Sequence, residues 1–387
     1  EITQVELARC REAIRNGTIW RLAEQRSHAS PQLREAFEWV IEQLVDPDEG
    51  PVGQSALRMI SSTNPVRGTA EHFGNDIDYR PHLLHLNAML ASRWRAPGSW
   101  WDASVSSPER VVILTGAGPP WRNSALGTAV EALREEPRSV ILISTPIGLI
   151  PFTLEDVSPW CHIDGSDDLW RMVISENEID AWLDDLSLSN LPLDIHECLP
   201  DPDEIAGGDK RQIIRDWIDR CTVVDKLSLF CGINPKLSCD LTSNMSARRS
   251  RTDRMVNVNF DDQHCLSPRL PDGALSLTLN GARTLHELNP NLPRKFQSEI
   301  EYIEGDHLGI PRVLLHDDAI PFVGQGRNVI HGFVLGADSH LIVGQPCLVV
   351  DSEGNLVAHG IANATADDMS FFTKGIAVKV RDGAMKQ

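Results

Sequence analysis

The sequence is short of several things, and each shortage excludes a class of protein. Its 387 residues hold no apolar run near the roughly 18 that a membrane span needs, so no membrane partner is expected. The start, Glu1-Ile2-Thr3-Gln4, has neither a basic stretch nor the apolar core of a secretory leader, and the expected location is cytoplasmic. Glu1 is not an initiator methionine, so the native start is expected upstream. None of the eight cysteines forms a C-x-x-C pair, and Cys221, Cys231 and Cys239 are spread too widely for a zinc knuckle. Neither a metal nor another cofactor is expected; the thiols read as reduced and mostly buried. Internal repeats and low-complexity runs are missing too. So is an excess of positive charge: 36 Lys and Arg against 55 Asp and Glu leave a net charge of −19. Such a field does not attract nucleic acid, and any contact of that kind must come from a local basic patch.

The chain is organised around 111–160. Val111-Val112-Ile113-Leu114-Thr115 and Val140-Ile141-Leu142-Ile143-Ser144 are short apolar runs flanking a helical pattern, Ala125 to Glu135. They read as a β-α-β unit with buried parallel strands. Ligands of such sheets sit outside the carboxyl ends of the strands. There lie the Gly/Pro-rich loop from Gly116 to Ser124 and a second loop, Thr145-Pro146-Ile147-Gly148.

Around this unit the sequence divides into four. Residues 1–46 have helical spacing, with Ser30 and Pro31 placed to start a helix, and end at the breaker Asp46-Pro47-Asp48-Glu49-Gly50-Pro51. Residues 47–199 form an α/β domain. Residues 200–309 form an α+β intermediate domain, with a helix expected over Arg211 to Leu229. Residues 310–387 show short strands at Asn328 to Leu335, Pro346 to Asp351, Leu356 to Ala362 and Gly375 to Arg381, with a turn at Asp351–Asn355, and read as a small β pseudo-barrel. The one basic cluster of note, Arg248, Arg249, Arg251 and Arg254, reads either as a solvated loop or as a set of phosphate-pairing guanidinium groups.

The C-terminal strings Val329-Ile330-His331-Gly332-Phe333-Val334, Val343 to Val350, Leu356-Val357-Ala358-His359-Gly360 and Lys374 to Arg381 resemble a PUA domain. The resemblance implies docking on a structured RNA, with Arg327, Lys374, Lys379 and Arg381 as the basic residues facing it. From His316 onward five basic residues (with Lys386 the fifth) stand against eight acidic ones, so the barrel alone is expected to bind RNA weakly and salt-sensitively.

Further strings resemble the C-terminal part of the archaeal tRNA-guanine transglycosylase family, closest to archaeosine synthase. These are Ile14-Arg15-Asn16-Gly17-Thr18-Ile19-Trp20 with Arg26, Ser27 and His28, then Tyr79-Arg80-Pro81, then Ser144 to Pro151 with Leu154, Glu155 and Pro159, then Gly273 to Arg283. The resemblance implies that 1–46 are the helical end of a transglycosylase-like barrel and that 47–199 are uracil-DNA-glycosylase-like. The barrel itself and its zinc cysteines have no counterpart in the chain. It further implies tRNA as partner, a catalytic transglycosylase or archaeosine synthase subunit, and a radical SAM enzyme. The family joins lysine to the nitrile of 7-cyano-7-deazaguanine in tRNA.

The family motif in the first loop runs Pro-Cys, three residues, Lys-Pro-Tyr, two residues, Ser, two residues, His. Over Leu114 to Gly127, Pro120 and Ser124 match and Trp121 stands for the Tyr; Thr115, Pro119 and Gly127 replace the Cys, Lys and His. A nitrile is attacked by a thiolate; a threonine hydroxyl has no evident neighbour to ionise it. His162 and Asp164 match a His-x-Asp pair and read either as a poised base or as a hydrogen-bonded surface pair. Cys161, just past the second loop, is the one cysteine expected within reach. Three readings follow: a non-catalytic tRNA-docking or partner subunit, an active lysine-adding enzyme with a rearranged site, and another RNA enzyme such as a glycosylase.

Overall fold

The computed structural model describes residues 2–16, 19–44, 71–72, 80–98, 107–118, 121–157, 160, 163–164, 174–198, 208–251, 254–269, 273–288, 309–338, 341 and 343–386. Asp46 to Pro51, Tyr79, Pro119, Pro120, Cys161 and His162 lie outside the described residues.

Three helices open the chain, α1 (Ile2–Asn16), α2 (Ile19–Ser27) and α3 (Pro31–Leu44). Ser30 caps α3 as its type and position require, its Oγ accepting from the Leu33 N–H at 3.3 Å. Phe37 packs edge-to-face on Trp20, and Glu24 meets Arg80 at 3.2 Å across to the rest of the molecule.

The next strands, in chain order, are β1 (Glu71–His72), β2 (Arg110–Thr115), β3 (Ser139–Thr145), β4 (Gly148–Pro151), β5 (Ile163–Asp164) and β6 (Leu193–Glu197). β2 pairs in parallel with both β3 and β6, so the expected parallel neighbours are present. β4 adds antiparallel to β3 and makes the sheet mixed, in the order β4-β3-β2-β6. Val111 to Leu114 are wholly buried. Burying each such side chain is worth about 1.5–3 kcal/mol, which makes β2 the axis of the sheet. The helix Leu126–Glu135 returns the chain from β2 to β3, burying Ala129, Ala132 and Leu133.

One cluster of buried side chains runs on without a break from Leu83 through this sheet to the helix Gly208–Cys231 and to Leu285. The long helix is expected over Arg211 to Leu229 and runs slightly further at both ends, with Asp219, Thr222, Asp225 and Lys226 buried among its apolar residues. Asp225 accepts from the Trp94 indole at 3.1 Å and from the Thr153 hydroxyl, and Lys226 pairs with Asp156 at 2.6 Å.

β7 (Met245–Arg249), β8 (Met255–Phe260), β9 (Gln263–Pro268) and β10 (Leu275–Leu277) form an antiparallel sheet in the order β10-β9-β8-β7. Asp261 and Asp262, both at positive φ, make the tight turn between β8 and β9. The loop reading of Ser246 to Arg254 is corrected: it is largely the β7–β8 hairpin, with Arg248 opposite Asn257.

The last six strands are β11 (Arg312–Leu315), β12 (Val329–Ile330), β13 (Val334–Ala337), β14 (Pro346–Val350), β15 (Leu356–Ala362) and β16 (Ile376–Gly383), in the order β12-β16-β15-β14-β11-β13. All pairs but β11–β14 are antiparallel, and the sheet curls into a nearly closed barrel around Val313, Leu315, Val349 and Val378. Asp351 builds the predicted turn, its Oδ1 accepting from the N–H groups of Glu353 at 2.9 Å and Asn355 at 2.8 Å. The single strand expected over Asn328 to Leu335 is corrected: a 3-10 turn, His331–Phe333, splits it into β12 and β13. The barrel is docked on the larger core through Leu348 and Val350, and Arg269 donates to the Gly344 carbonyl at 2.7 Å.

Candidate functional site at the strand ends

β2 delivers Thr115 to the carboxyl end of the sheet, and Gly116 follows at φ 77°, a left-handed turn that suits glycine. The chain then folds inward, with Ala117 and Trp121 wholly buried. The Trp121 indole N–H donates to the Phe152 carbonyl at 3.1 Å, and the Ser124 hydroxyl closes the loop by donating to the Gly118 carbonyl at 3.1 Å. Thr115 is 6% exposed, and its hydroxyl donates to the His196 carbonyl at 3.4 Å. Trp121 and Ser124 are thus both bonded to main-chain carbonyls at the loop.

The second loop is tighter than the sequence reading. Pro146 and Ile147 form a turn closed by the Thr145 hydroxyl on the Gly148 carbonyl at 2.8 Å. Gly148, at φ 119°, lies under Trp182; a Cβ there would fall 2.0 Å from the indole. Asp164 pairs through its backbone with His72 as part of β5.

Sequence reasoning missed Cys198. It follows β6, whose last residue Glu197 registers with Thr115, and its N–H donates to the Thr115 carbonyl at 2.8 Å. The expectation that no thiol but Cys161 comes near the loop is therefore corrected. The available signal was the short alternation Leu193-Asp194-Ile195-His196 just before Cys198, which marks β6. Burial pushes the Cys198 thiol up, opposed by its hydrogen bond with Thr128 and reinforced by the Glu197 charge. Burial thus disfavours the thiolate at this position.

The basic residues fall into two places. Arg248, Arg251 and Arg254 are exposed on the β7–β8 hairpin, whereas Arg249 is drawn in to Asp219 at 2.6 Å. Arg327, Lys374, Lys379 and Arg381 are all exposed on the barrel, three of them on or beside β16.

Residues 311–384 match the PUA domain model. Over 397 aligned positions the chain is 25% identical to a Methanothermobacter thermautotrophicus protein named tRNA-guanine(15) transglycosylase, covering 99% of this chain and 53% of the relative. A Methanocaldococcus jannaschii protein of the same name is 23% identical over 414 positions, with 99% and 52% covered. One from Thermococcus kodakarensis is 34% identical over 136 positions, 35% of this chain and 20% of the relative. The chain spans about half the length of the curated relatives it matches in full.

Proposed function

We propose that this chain, a PUA-bearing relative of the proteins named tRNA-guanine(15) transglycosylase, is a tRNA-docking or partner subunit of archaeosine biosynthesis that does not add lysine by itself. The observation that carries the reading is the state of the strand ends. The hydroxyl of Thr115 replaces the family thiol, and the thiol beside it, Cys198, is buried and held in its protonated form. Attack on a nitrile needs a thiolate within reach. Trp121 fills the first loop, and Lys226, an amine on the neighbouring helix, is wholly buried against Asp156.

In this reading Trp121 and Ser124 keep the loop's shape without its chemistry. The domain boundaries near 46, 199 and 309, the transglycosylase-like origin of 1–46 and the glycosylase-like character of 47–199 belong to the same proposal. So do the partners: tRNA, a catalytic subunit with an intact motif, and a radical SAM enzyme. Phosphate contacts fall to Arg327, Lys374, Lys379 and Arg381 on the barrel, with Arg248, Arg251 and Arg254 on the hairpin. Arg249 is committed to Asp219 and supports the hairpin rather than the RNA.

One observation favours a second reading. The backbone of Cys198 is bonded to that of Thr115 and its thiol to Thr128 on the helix after the loop, so an active enzyme with a rearranged site would use Cys198, with His162 and Asp164 as the other candidates. Incubation of the purified chain with 7-cyano-7-deazaguanine tRNA and labelled lysine, followed by mass analysis of the nucleosides, separates the two.

A further inference from the structure

One edge of the strand-end sheet is open. In the order β4-β3-β2-β6, the last strand pairs with β2 alone among the described strands. The Val111 N–H donates to the Pro192 carbonyl at 2.9 Å and the Cys198 N–H to the Thr115 carbonyl at 2.8 Å, so the even-numbered residues of β6 turn their main-chain groups toward β2. Those of Leu193, Ile195 and Glu197 therefore point away from the sheet, and no described residue bonds to them. Free edges are normally blunted by proline, lysine or a bulge. β6 has none of these within its five residues and follows β2 without a register shift. Leu193 and Ile195, on one face of the strand, are 36% and 49% exposed, and Asp194 and His196 lie on the other face.

An edge with three outward-facing residues has one symmetric register that uses all of them. It is antiparallel pairing with a second β6 about a two-fold axis at Ile195. Ile195 then faces Ile195 of the second copy, and Leu193 faces Glu197 in both directions, each pair exchanging two main-chain bonds. The residues between also fall opposite one another. Asp194 of either copy meets His196 of the other, at the non-hydrogen-bonded positions where side chains lie closest. The strand is therefore complementary to itself: carboxylate faces imidazole on one face, and isoleucine faces isoleucine on the other. The acid Glu197 faces a leucine and not another acid. Arg110 anchors the Asp194 carboxylate at 2.7 Å, and the side chain is still 48% exposed.

We propose that two copies of this chain associate through β6, joining their sheets in the order β4-β3-β2-β6-β6-β2-β3-β4 with the two strand-end loops at opposite ends of the joined sheet. The contact is small. Paired strands of five residues fall short of the roughly 800 Å² per partner of a stable interface, so the association is weak and forms at high concentration. Each copy carries a net charge of −19, so enough salt must be present to screen the mutual repulsion. The test is therefore sedimentation of the full chain in moderate salt, up to several hundred micromolar, for the wild type, Asp194→Lys, His196→Asp and Ile195→Pro.

The wild type is expected to dimerise reversibly. Asp194→Lys and His196→Asp each lose both carboxylate–imidazole pairs and are expected to weaken the dimer roughly five-fold. Mixed in equal amounts, the two variants are expected to regain association. The new lysine then faces the new aspartate, and the remaining His196 faces the remaining Asp194. Ile195→Pro deletes the central outward N–H without touching a bond to β2, and is expected to abolish the dimer while the melting temperature holds. Amide exchange of the wild type needs no variant: the N–H groups of Leu193, Ile195 and Glu197 are expected to gain protection as concentration rises. A wild type that stays monomeric throughout overturns the proposal and leaves the edge to a strand of another protein. A dimer that gives those three amides no protection, or that survives in folded Ile195→Pro, overturns it by placing the contact elsewhere. Folded variants that associate no better mixed than alone overturn the antiparallel register.

Discussion

The N–H of Cys198 donates to the carbonyl of Thr115 at 2.8 Å, so a cysteine directly follows the strand paired with the one that leads into the first loop. Its chemistry decides between a retired site and a relocated one. Burial is the main cause holding the thiol protonated, and its hydrogen bond to Thr128 only partly offsets this. We expect iodoacetamide at mildly alkaline pH to label half-buried Cys10 well before Cys198, with the Cys198 rate rising only at higher pH. Peptide mass mapping over time reads this order. Cys198 labelling first would identify a reactive thiol and favour the rearranged enzyme.

Replacing Thr115 by Cys is expected to restore little lysine addition. Pro119 and Gly127 stand where the family has Lys and His, and groups acting as one unit are strongly non-additive. The variant is read by the same nucleoside mass analysis; recovery of substantial activity from this single change would show that the remaining loop chemistry is intact.

The pair Lys226–Asp156 should behave asymmetrically. The lysine side chain is wholly buried, while that of Asp156 is 39% exposed. Asp156→Ala strands a buried ammonium and is expected to cost about 3 kcal/mol or more. Lys226→Met removes the buried charge and leaves a carboxylate that water can reach, so its cost should be smaller. Urea unfolding of the two variants measures the difference, and equal losses would contradict the argument.

The barrel should lose stability on acidification. Burial lowers the pKa of both His331 and His359, so the folded state prefers the neutral rings. A group with a lowered folded pKa contributes stability that is present above its unfolded value, about 6.5, and lost as pH falls through the folded value. Melting temperature is therefore expected to drop between pH 7 and 5. His359→Gln should flatten that dependence; an unchanged slope would point elsewhere.

Elements with one dominant period were legible in the sequence. Val111–Thr115 and Val140–Ser144 are parallel because both are continuous apolar runs around one helix, and Asp351–Asn355 turns because its side chains bond their own backbone. What was not legible depends on partners distant in the chain. β6 is an edge strand with only two apolar residues, Leu193 and Ile195, both exposed, so neither its pairing to β2 nor the arrival of Cys198 at Thr115 could be read. That Trp121 is wholly buried cannot be read locally either, because the Phe152 carbonyl that accepts from its indole lies thirty-one residues on. Arg249 is indistinguishable from Arg248 by sequence and is separated from it by Asp219, thirty residues earlier on another element.

The central claim is that the strand-end site lacks a competent nucleophile. The most direct measurement is mass analysis of nucleosides from 7-cyano-7-deazaguanine tRNA incubated with labelled lysine and the purified chain, with and without a subunit bearing the intact motif. The account predicts unmodified base with the chain alone and a lysine adduct only when that subunit is present. A lysine adduct formed by the purified chain alone, abolished by Cys198→Ala, would contradict it.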